Sequence, residues 1–110
     1  MIEKYYKSLE ENKKFFENAL NIAKEIKEKA RKIFKNYKVY IGGSFARGEH
    51  KLNSDLDIII VSKEIPKKMS FDEYFKIISN ICEDERVNIH LLNESFFEKN
   101  KKFYKKLIEV

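Results

Sequence analysis

Apolar residues recur every three to four positions through residue 35, a segment that contains neither Gly nor Pro. This spacing matches the helical repeat of about 3.6 residues and places the apolar side chains on one stripe. It predicts an amphipathic helix from Ile2 to about Lys35, with a break near Asn12 as an alternative. The stripe consists of Phe16, Ala19, Leu20, Ala23, Ile26, Ala30, Ile33 and Phe34.

Three shorter segments are rich in β-branched and aromatic residues and therefore predict strands. They are 38–41 (KVYI), 55–61 (DLDIIIV) and 86–92 (RVNIHLL). The first ends at Gly42 and Gly43, which predict a tight turn. The second is apolar on both faces beyond Asp57, a pattern typical of a central strand that is covered on both sides.

Two serines predict helix starts further along the chain. Ser70 with Glu73, and likewise Ser95 with Glu98, have the spacing of capping boxes. The first pair predicts a helix through about Cys82, and the second predicts a C-terminal helix within 93–110. We expect the first of these helices to face the core with an apolar stripe formed by Phe71, Tyr74, Phe75, Ile78 and Cys82.

The order of these elements predicts an α/β (α+β) fold with a small mixed sheet of three to four strands flanked by helices. Segment 55–92 is long enough for a parallel strand, helix, strand crossover. If the first strand pairs antiparallel with the second, the glycine turn, Asp55 and Asn88 meet at one sheet edge. We expect a single domain, residues 1–110. It consists of an N-terminal helical segment (1–35), a sheet core (38–92) and a C-terminal helix (93–110).

Composition narrows the class of protein. A chain of 110 residues with 43% hydrophobic and 37% charged residues fits one folded domain. None of its apolar runs approaches the length of about 20 residues that a membrane-spanning helix needs. Its start also lacks the apolar segment of a secretory signal, so we expect a cytoplasmic protein that does not associate with a membrane. Cys82 is the only cysteine, which excludes an internal disulfide and a cysteine-based zinc cluster.

The formal charge of +5 is distributed unevenly. Residues 1–38 carry 11 basic and 6 acidic side chains, 39–94 carry 7 and 10, and 95–110 carry 5 and 2. The basic ends raise the hypothesis of an RNA-binding module. Lysines alternate with glutamates at helical spacing, however, as in Glu25 and Lys29, so we favour a solvated helix face over a nucleic-acid surface.

Asp55 and Asp57 predict a cation site at the sheet edge. Side chains alternate faces along a strand, so both carboxylates project the same way, about two rises of 3.3 Å apart. Protonation of one acid or a bound cation relieves their repulsion. We expect Mg²⁺, with Mn²⁺ as the alternative, because Mg²⁺ binds through one or two carboxylates plus substrate phosphates.

The segment from Gly42 to Arg47 predicts an anion site beside these carboxylates. Gly42 and Gly43 allow backbone N–H groups to approach a ligand, and a short helix starting at Ser44 directs its first donors towards an anion. Arg47 follows one helical turn later, and its planar guanidinium binds phosphate oxygens bidentately. A triphosphate fits this description.

The stretch "GGSFARGE" followed by "SDLDIII" resembles the signature of minimal, single-domain prokaryotic nucleotidyltransferases of the DNA polymerase beta superfamily. The resemblance implies that Gly43 and Ser44 hold the β and γ phosphates of a nucleoside triphosphate, that Arg47 neutralises them, and that Asp55 and Asp57 ligate Mg²⁺. It also implies transfer of a nucleoside monophosphate, with ATP as the expected donor. Small members of this family are often encoded beside a helical partner protein and act as antitoxins that modify it.

One position departs from the family pattern. The family has a third carboxylate on the next strand, and the matching residue is Asn88, which offers a metal a carbonyl oxygen but no charge. Asn88 is therefore a third candidate ligand and the basis of an alternative hypothesis, a non-catalytic antitoxin-like or nucleotide-binding protein of the same fold. His90 lies on the same strand face, where we favour a structural role over that of a ligand or base, and we interpret His50 as solvent-facing. The residues leave open whether the first helix mediates homo-oligomers.

Overall fold

The computed structural model describes residues 2–48, 55–82, 84–104 and 106–110. The helices are α1 (Ile2–Ala30), α2 (Gly43–Ala46), α3 (Phe71–Ile81) and α4 (Glu94–Asn100), and α4 is followed by a 3-10 turn at Lys101–Phe103. The strands are β1 (Tyr37–Gly42), β2 (Leu56–Ser62), β3 (Val87–Asn93) and β4 (Ile108–Glu109). Within these ranges, none of the helices has both the length and the apolar character to cross a membrane.

The strands form one mixed sheet in the order β3-β2-β1-β4. β2 and β3 run parallel and are connected through α3, whereas β1 is antiparallel to both of its neighbours. The register places Ile58 between Ile41 of β1 and Ile89 of β3. The predicted mixed sheet, its antiparallel pair and its parallel crossover are thus confirmed.

The C-terminal segment contradicts the prediction of a helix that fills 93–110. α4 ends at Asn100, and the chain then returns to the sheet, where Ile108 pairs with Ile41. Ile108 packs against the larger apolar cluster, whereas Leu107 packs against the smaller one. An extended chain allows both contacts, because neighbouring side chains of a strand point to opposite faces of the sheet.

The first helix runs unbroken through Asn12 and ends at Ala30 rather than near Lys35. Beyond this end, the Glu64 carboxylate accepts hydrogen bonds from the backbone amides of Lys35 at 2.7 Å and Asn36 at 3.1 Å. These amides are held by a side chain of another segment instead of by helix carbonyls. The chain therefore turns away from the helix axis and enters β1.

The predicted apolar stripe of α1 packs against the sheet. Its buried members are Ala19, Ala23, Ile26, Ala30 and Phe34. Ile33 lies beyond the end of the helix and is 37% exposed, so it does not extend the stripe. The side chain of Phe16 falls outside the described part of the chain.

The two faces of the sheet pack into separate apolar clusters. One face contributes residues such as Val39 and Ile58 to a larger cluster with α1 and α3. The other face contributes Ile59 and Val61 to a smaller cluster that contains Phe97 of α4. β2 is therefore buried on both sides, as its apolar run predicted.

α3 begins at the predicted cap but turns a different side towards the core. The Ser70 hydroxyl oxygen accepts a hydrogen bond from the Glu73 amide at 3.2 Å. The inward stripe predicted at Phe71 and Phe75 is wrong, because these side chains are 74% and 53% exposed. α3 has apolar residues over a wide arc, and only the part facing α1 and the sheet is covered. That part comprises Tyr74, Ile77, Ile78, Ile81 and Cys82.

α4 begins before its predicted capping box. The Asn93 side-chain oxygen accepts hydrogen bonds from the amides of Ser95 at 3.0 Å and Phe96 at 3.4 Å, and its amide group donates to the Ile65 carbonyl at 2.7 Å. The predicted Ser95 cap is wrong because Asn93, the last residue of β3, already satisfies the first donors of the helix.

Candidate active site

The glycine turn lies directly above the start of β2. Gly42 ends β1 and is paired with Asp57 in the antiparallel register. α2 follows at once and consists of a single turn that begins at Gly43, one residue before the predicted start at Ser44. The antiparallel pairing therefore brings the turn and the acidic strand together.

Gly43 and Asp57 are in direct contact. Gly43 has a φ of +64°, in the left-handed region that favours glycine, and a Cβ built on it would lie 2.2 Å from Oδ2 of Asp57. No side chain fits at such a separation unless the carboxylate moves. The backbone conformation and the acidic group thus both require glycine at this position.

Gly42 has a different role from Gly43. It is buried, and a Cβ built on it would lie 3.0 Å from Cδ1 of Ile59 and 3.3 Å from Cδ2 of Leu107. The missing side chain leaves room for Leu107 to approach the sheet. Gly42 therefore allows the C-terminal segment to pack close to the site.

The parallel pairing of β2 with β3 adds polar groups on the same face. Asn88 is paired with Asp57, and its side-chain amide donates a hydrogen bond to Oδ2 of Asp55 at 3.3 Å. Nε2 of His90 lies 3.4 Å from Oδ1 of Asp57. Both predicted carboxylates and the predicted Asn88 thus meet at one sheet edge, each in contact with a residue of another element.

His90 joins these residues, although the sequence interpretation favoured a structural role for it. Its side chain is 53% exposed and faces the Asp57 carboxylate, whose side chain is 32% exposed. Its position two residues after Asn88 had already placed it on the same strand face. His50 lies outside the described residues.

An open cleft of about 660 Å³ lies beside these groups. One side is formed by Gly43, Arg47, Asp57 and His90. The C-terminal segment forms another part of its lining, which includes Phe103, Tyr104, Lys106 and Leu107. The sequence interpretation assigned this segment to a helix and so predicted no contribution from it.

The predicted residues differ in their exposure to this cleft. Arg47 is exposed at the end of α2 and lines the cleft together with Gly43 and Asp57. Ser44 is partly exposed in the same turn, and Asp55 and Asn88 are exposed next to it on the sheet edge. Among the described residues, no group of three or more His, Cys, Asp or Glu side chains is arranged to hold a metal ion.

Comparison with known proteins identifies relatives of this chain. The model of a family described as "Nucleotidyltransferase domain" matches residues 23–109. A protein of Methanocaldococcus jannaschii named "Putative protein adenylyltransferase" is 44% identical over 66 residues, which are 56% of this chain and 77% of that protein.

Two solved structures share the fold. A crystal structure from Sulfolobus solfataricus described as a "putative nucleotidyltransferase" superposes with a TM-score of 0.67 at 29% identity, covering 93% of this chain and 84% of that one. A second structure with the same description gives a TM-score of 0.59 at 28% identity, over 79% of this chain and 95% of the other. Both similarities extend over most of each chain.

Proposed function

Because the chain belongs to the nucleotidyltransferase family, we propose that it transfers the nucleoside monophosphate of ATP to a hydroxyl acceptor, with Mg²⁺ bound at Asp55 and Asp57. The contact between Gly43 and the Asp57 carboxylate supports this most directly. It joins the glycine turn and the acidic strand into one site and leaves no space for a side chain. Mn²⁺ is the alternative ion because it accepts the same carboxylate, carbonyl and water ligands.

The donors at the sheet edge fit a hard divalent cation. Carboxylate oxygens of Asp55 and Asp57 are ligands that Mg²⁺ prefers, and Asn88 offers one neutral amide oxygen when its side chain turns. Mg²⁺ typically completes its shell with water and substrate phosphates. Bound there, the ion would stabilise the negative charge that develops on the phosphoryl oxygens.

The protein residues position the reactants. In the reaction, the hydroxyl oxygen of the acceptor forms a bond to the α phosphorus and its proton passes to water. The bond between the α phosphorus and the oxygen that bridges it to the β phosphorus breaks, and pyrophosphate leaves with the electron pair. Arg47 lines the cleft and has the planar donor group that binds phosphate oxygens in pairs. The backbone of Gly43 and the hydroxyl of Ser44 lie in the same turn and would contact the terminal phosphates. Positioning and charge stabilisation account for most of the catalysis in phosphoryl transfer.

A protein hydroxyl group is the acceptor that we propose. The relative from Methanocaldococcus jannaschii is described as a "Putative protein adenylyltransferase", and this description supports the choice of a protein acceptor. The cleft is open to solvent on one side, so a hydroxyl on the surface of a second protein can approach it. A helical partner protein encoded beside this chain is the first candidate, as in antitoxins of this family.

The experiment is a transfer assay with α-labelled ATP, Mg²⁺ and the candidate partner, read as labelled protein and released pyrophosphate. We expect label on the partner, and we expect Asp57→Asn to reduce it at least about 100-fold. Asp72→Asn is the matched control, because Asp72 is an exposed carboxylate on α3 outside the cleft. Full activity of Asp57→Asn would refute the proposed site.

Asn88 favours a second candidate function, a nucleotide-binding or antitoxin-like protein without catalysis. This residue stands where the resemblance implies a third carboxylate, and its amide group donates to Asp55. Under this alternative the protein binds ATP and its partner, but releases no pyrophosphate with any acceptor. Pyrophosphate release that depends on Mg²⁺ and on Asp57 would eliminate it.

A further inference from the structure

The C-terminal wall of the cleft has no role in the proposed chemistry, yet it is held firmly against the sheet. β4 pairs with β1, and the Val110 amide donates to the Val39 carbonyl at 2.9 Å. Leu107 packs beside Gly42, and the Tyr104 ring lies 5.7 Å from the ring of Phe97. Phe103 and Lys106 therefore each adjoin a residue that packs against the sheet or against α4.

Phe103 is the exposed aromatic residue of this wall. Its side chain is 72% exposed although it lines the cleft. Tyr104, its neighbour, belongs to the apolar cluster around Phe97, so the two rings have different surroundings. The ammonium group of Lys102 lies 5.7 Å from the centre of the Phe103 ring. Exposing a large apolar ring to water is unfavourable, and a planar ligand in the cleft would remove that cost.

The charges along the cleft match a nucleotide in which the phosphates and the base lie apart. Arg47 and Lys106 both line the cleft and provide two cations, and Asp57 lines it at the sheet edge. Phe103 and Tyr104 provide aromatic surface on the C-terminal wall. A polyanion with an attached planar ring can contact the cationic side chains and the aromatic surface at the same time.

From this arrangement we propose that Phe103 is a stacking platform for the nucleobase and that Lys106, together with Arg47, binds the phosphates. The proposal rests on the proposed function, since it assigns the bound nucleotide of that same site. Stacking uses the π face that every base possesses, and purines overlap more ring area than pyrimidines. ATP should therefore bind more tightly than CTP, and this preference should depend on Phe103.

Calorimetric titration of the whole chain with ATP, CTP and inorganic tripolyphosphate tests the proposal. We expect Phe103→Ala to weaken ATP binding about tenfold, to reduce the preference for ATP over CTP, and to leave tripolyphosphate binding unchanged. Phe103→Tyr keeps an aromatic face and should retain most of the ATP affinity. Lys106→Ala should weaken ATP and tripolyphosphate alike, because it removes a charge and not a stacking surface.

Phe71→Ala is the matched control, because Phe71 is 74% exposed and lies on α3 outside the cleft. An unchanged dissociation constant for ATP in Phe103→Ala, or equal weakening of ATP and tripolyphosphate, would overturn the stacking role. The transfer assay keeps this outcome separate from the proposed function. If ATP binding depends on Phe103 but neither labelled protein nor pyrophosphate forms, the result contradicts the proposed transfer function and still supports the stacking role of Phe103.

Discussion

Gly43 and Asp57 are so close that a Cβ on Gly43 would lie 2.2 Å from the carboxylate oxygen of Asp57. The two residues belong to α2 and β2 and are brought together by the pairing of Gly42 with Asp57. Backbone conformation and contact both require glycine here. The two requirements can be separated at Gly48, which also has a positive φ, +72°, but where a Cβ would have none of the described residues within 4 Å.

We predict that Gly43→Ala abolishes transfer activity whereas Gly48→Ala does not. Both substitutions place a side chain in the left-handed region, at a cost of about 1–2 kcal/mol each. Only Gly43→Ala displaces Asp57, and we expect an activity loss of at least about 100-fold from that displacement. Thermal unfolding and the transfer assay on both variants measure the two effects. Equal activities at equal stability would contradict the role of the contact.

Asn88→Asp tests whether the sheet edge is a cation site. Asn88 donates a hydrogen bond to Asp55, so a carboxylate in its place adds repulsion in the absence of a cation. We predict a lower Tm in a chelator, and a Tm rise with Mg²⁺ that exceeds the rise in the unmodified protein by about 4 °C or more. Asn88→Ala, which removes the amide without adding charge, is the control. No gain in the response to Mg²⁺ would argue against a cation at this edge.

Glu64 makes stability depend on pH. Hydrogen bonds from the Asn36 and Lys35 amides, together with the Ser62 hydroxyl, hold the pKa of Glu64 below its ordinary value of 4.5. A carboxyl group with a lowered pKa in the folded protein stabilises it above pH 4.5, and this contribution disappears as the pH falls through the lowered value. We predict that the Tm difference between the unmodified protein and Glu64→Gln is largest at neutral pH and shrinks at pH 3. A difference that is constant with pH would contradict this assignment.

Asn93 and Ser95 distinguish the observed helix cap from the predicted one. Asn93 accepts hydrogen bonds from two amides of α4 and donates to Ile65 of a neighbouring loop. We predict that Asn93→Ala lowers the free energy of unfolding by about 1–2 kcal/mol, and that Ser95→Ala changes it by less than about 0.5 kcal/mol. Denaturant titration measures both. If Ser95→Ala lowers the free energy of unfolding more than Asn93→Ala does, the result would favour the predicted capping box at Ser95.

The sequence by itself determined the elements whose patterns are local. The helical period of α1, the apolar run of β2 and the glycine turn each predict one element, because side-chain spacing along a helix or strand depends only on backbone geometry. Their order also predicted the parallel pairing of β2 with β3, whereas the antiparallel pairing of β1 with β2 entered as an assumption. The two pairings were sufficient to bring Gly43, Asp57 and Asn88 to one edge.

The tertiary structure alone decided which surfaces are covered. The apolar arc of α3 is wider than its neighbours can bury, so the exposure of Phe71 and Phe75 depended on where α1 and the sheet lie. The strand that contains Ile108 is too short for its sequence pattern to predict it. It forms because the edge of β1 is available for pairing. These contacts join residues far apart in sequence, and local periodicity contains no information about them. The wall of the cleft that includes Phe103 follows from this last pairing.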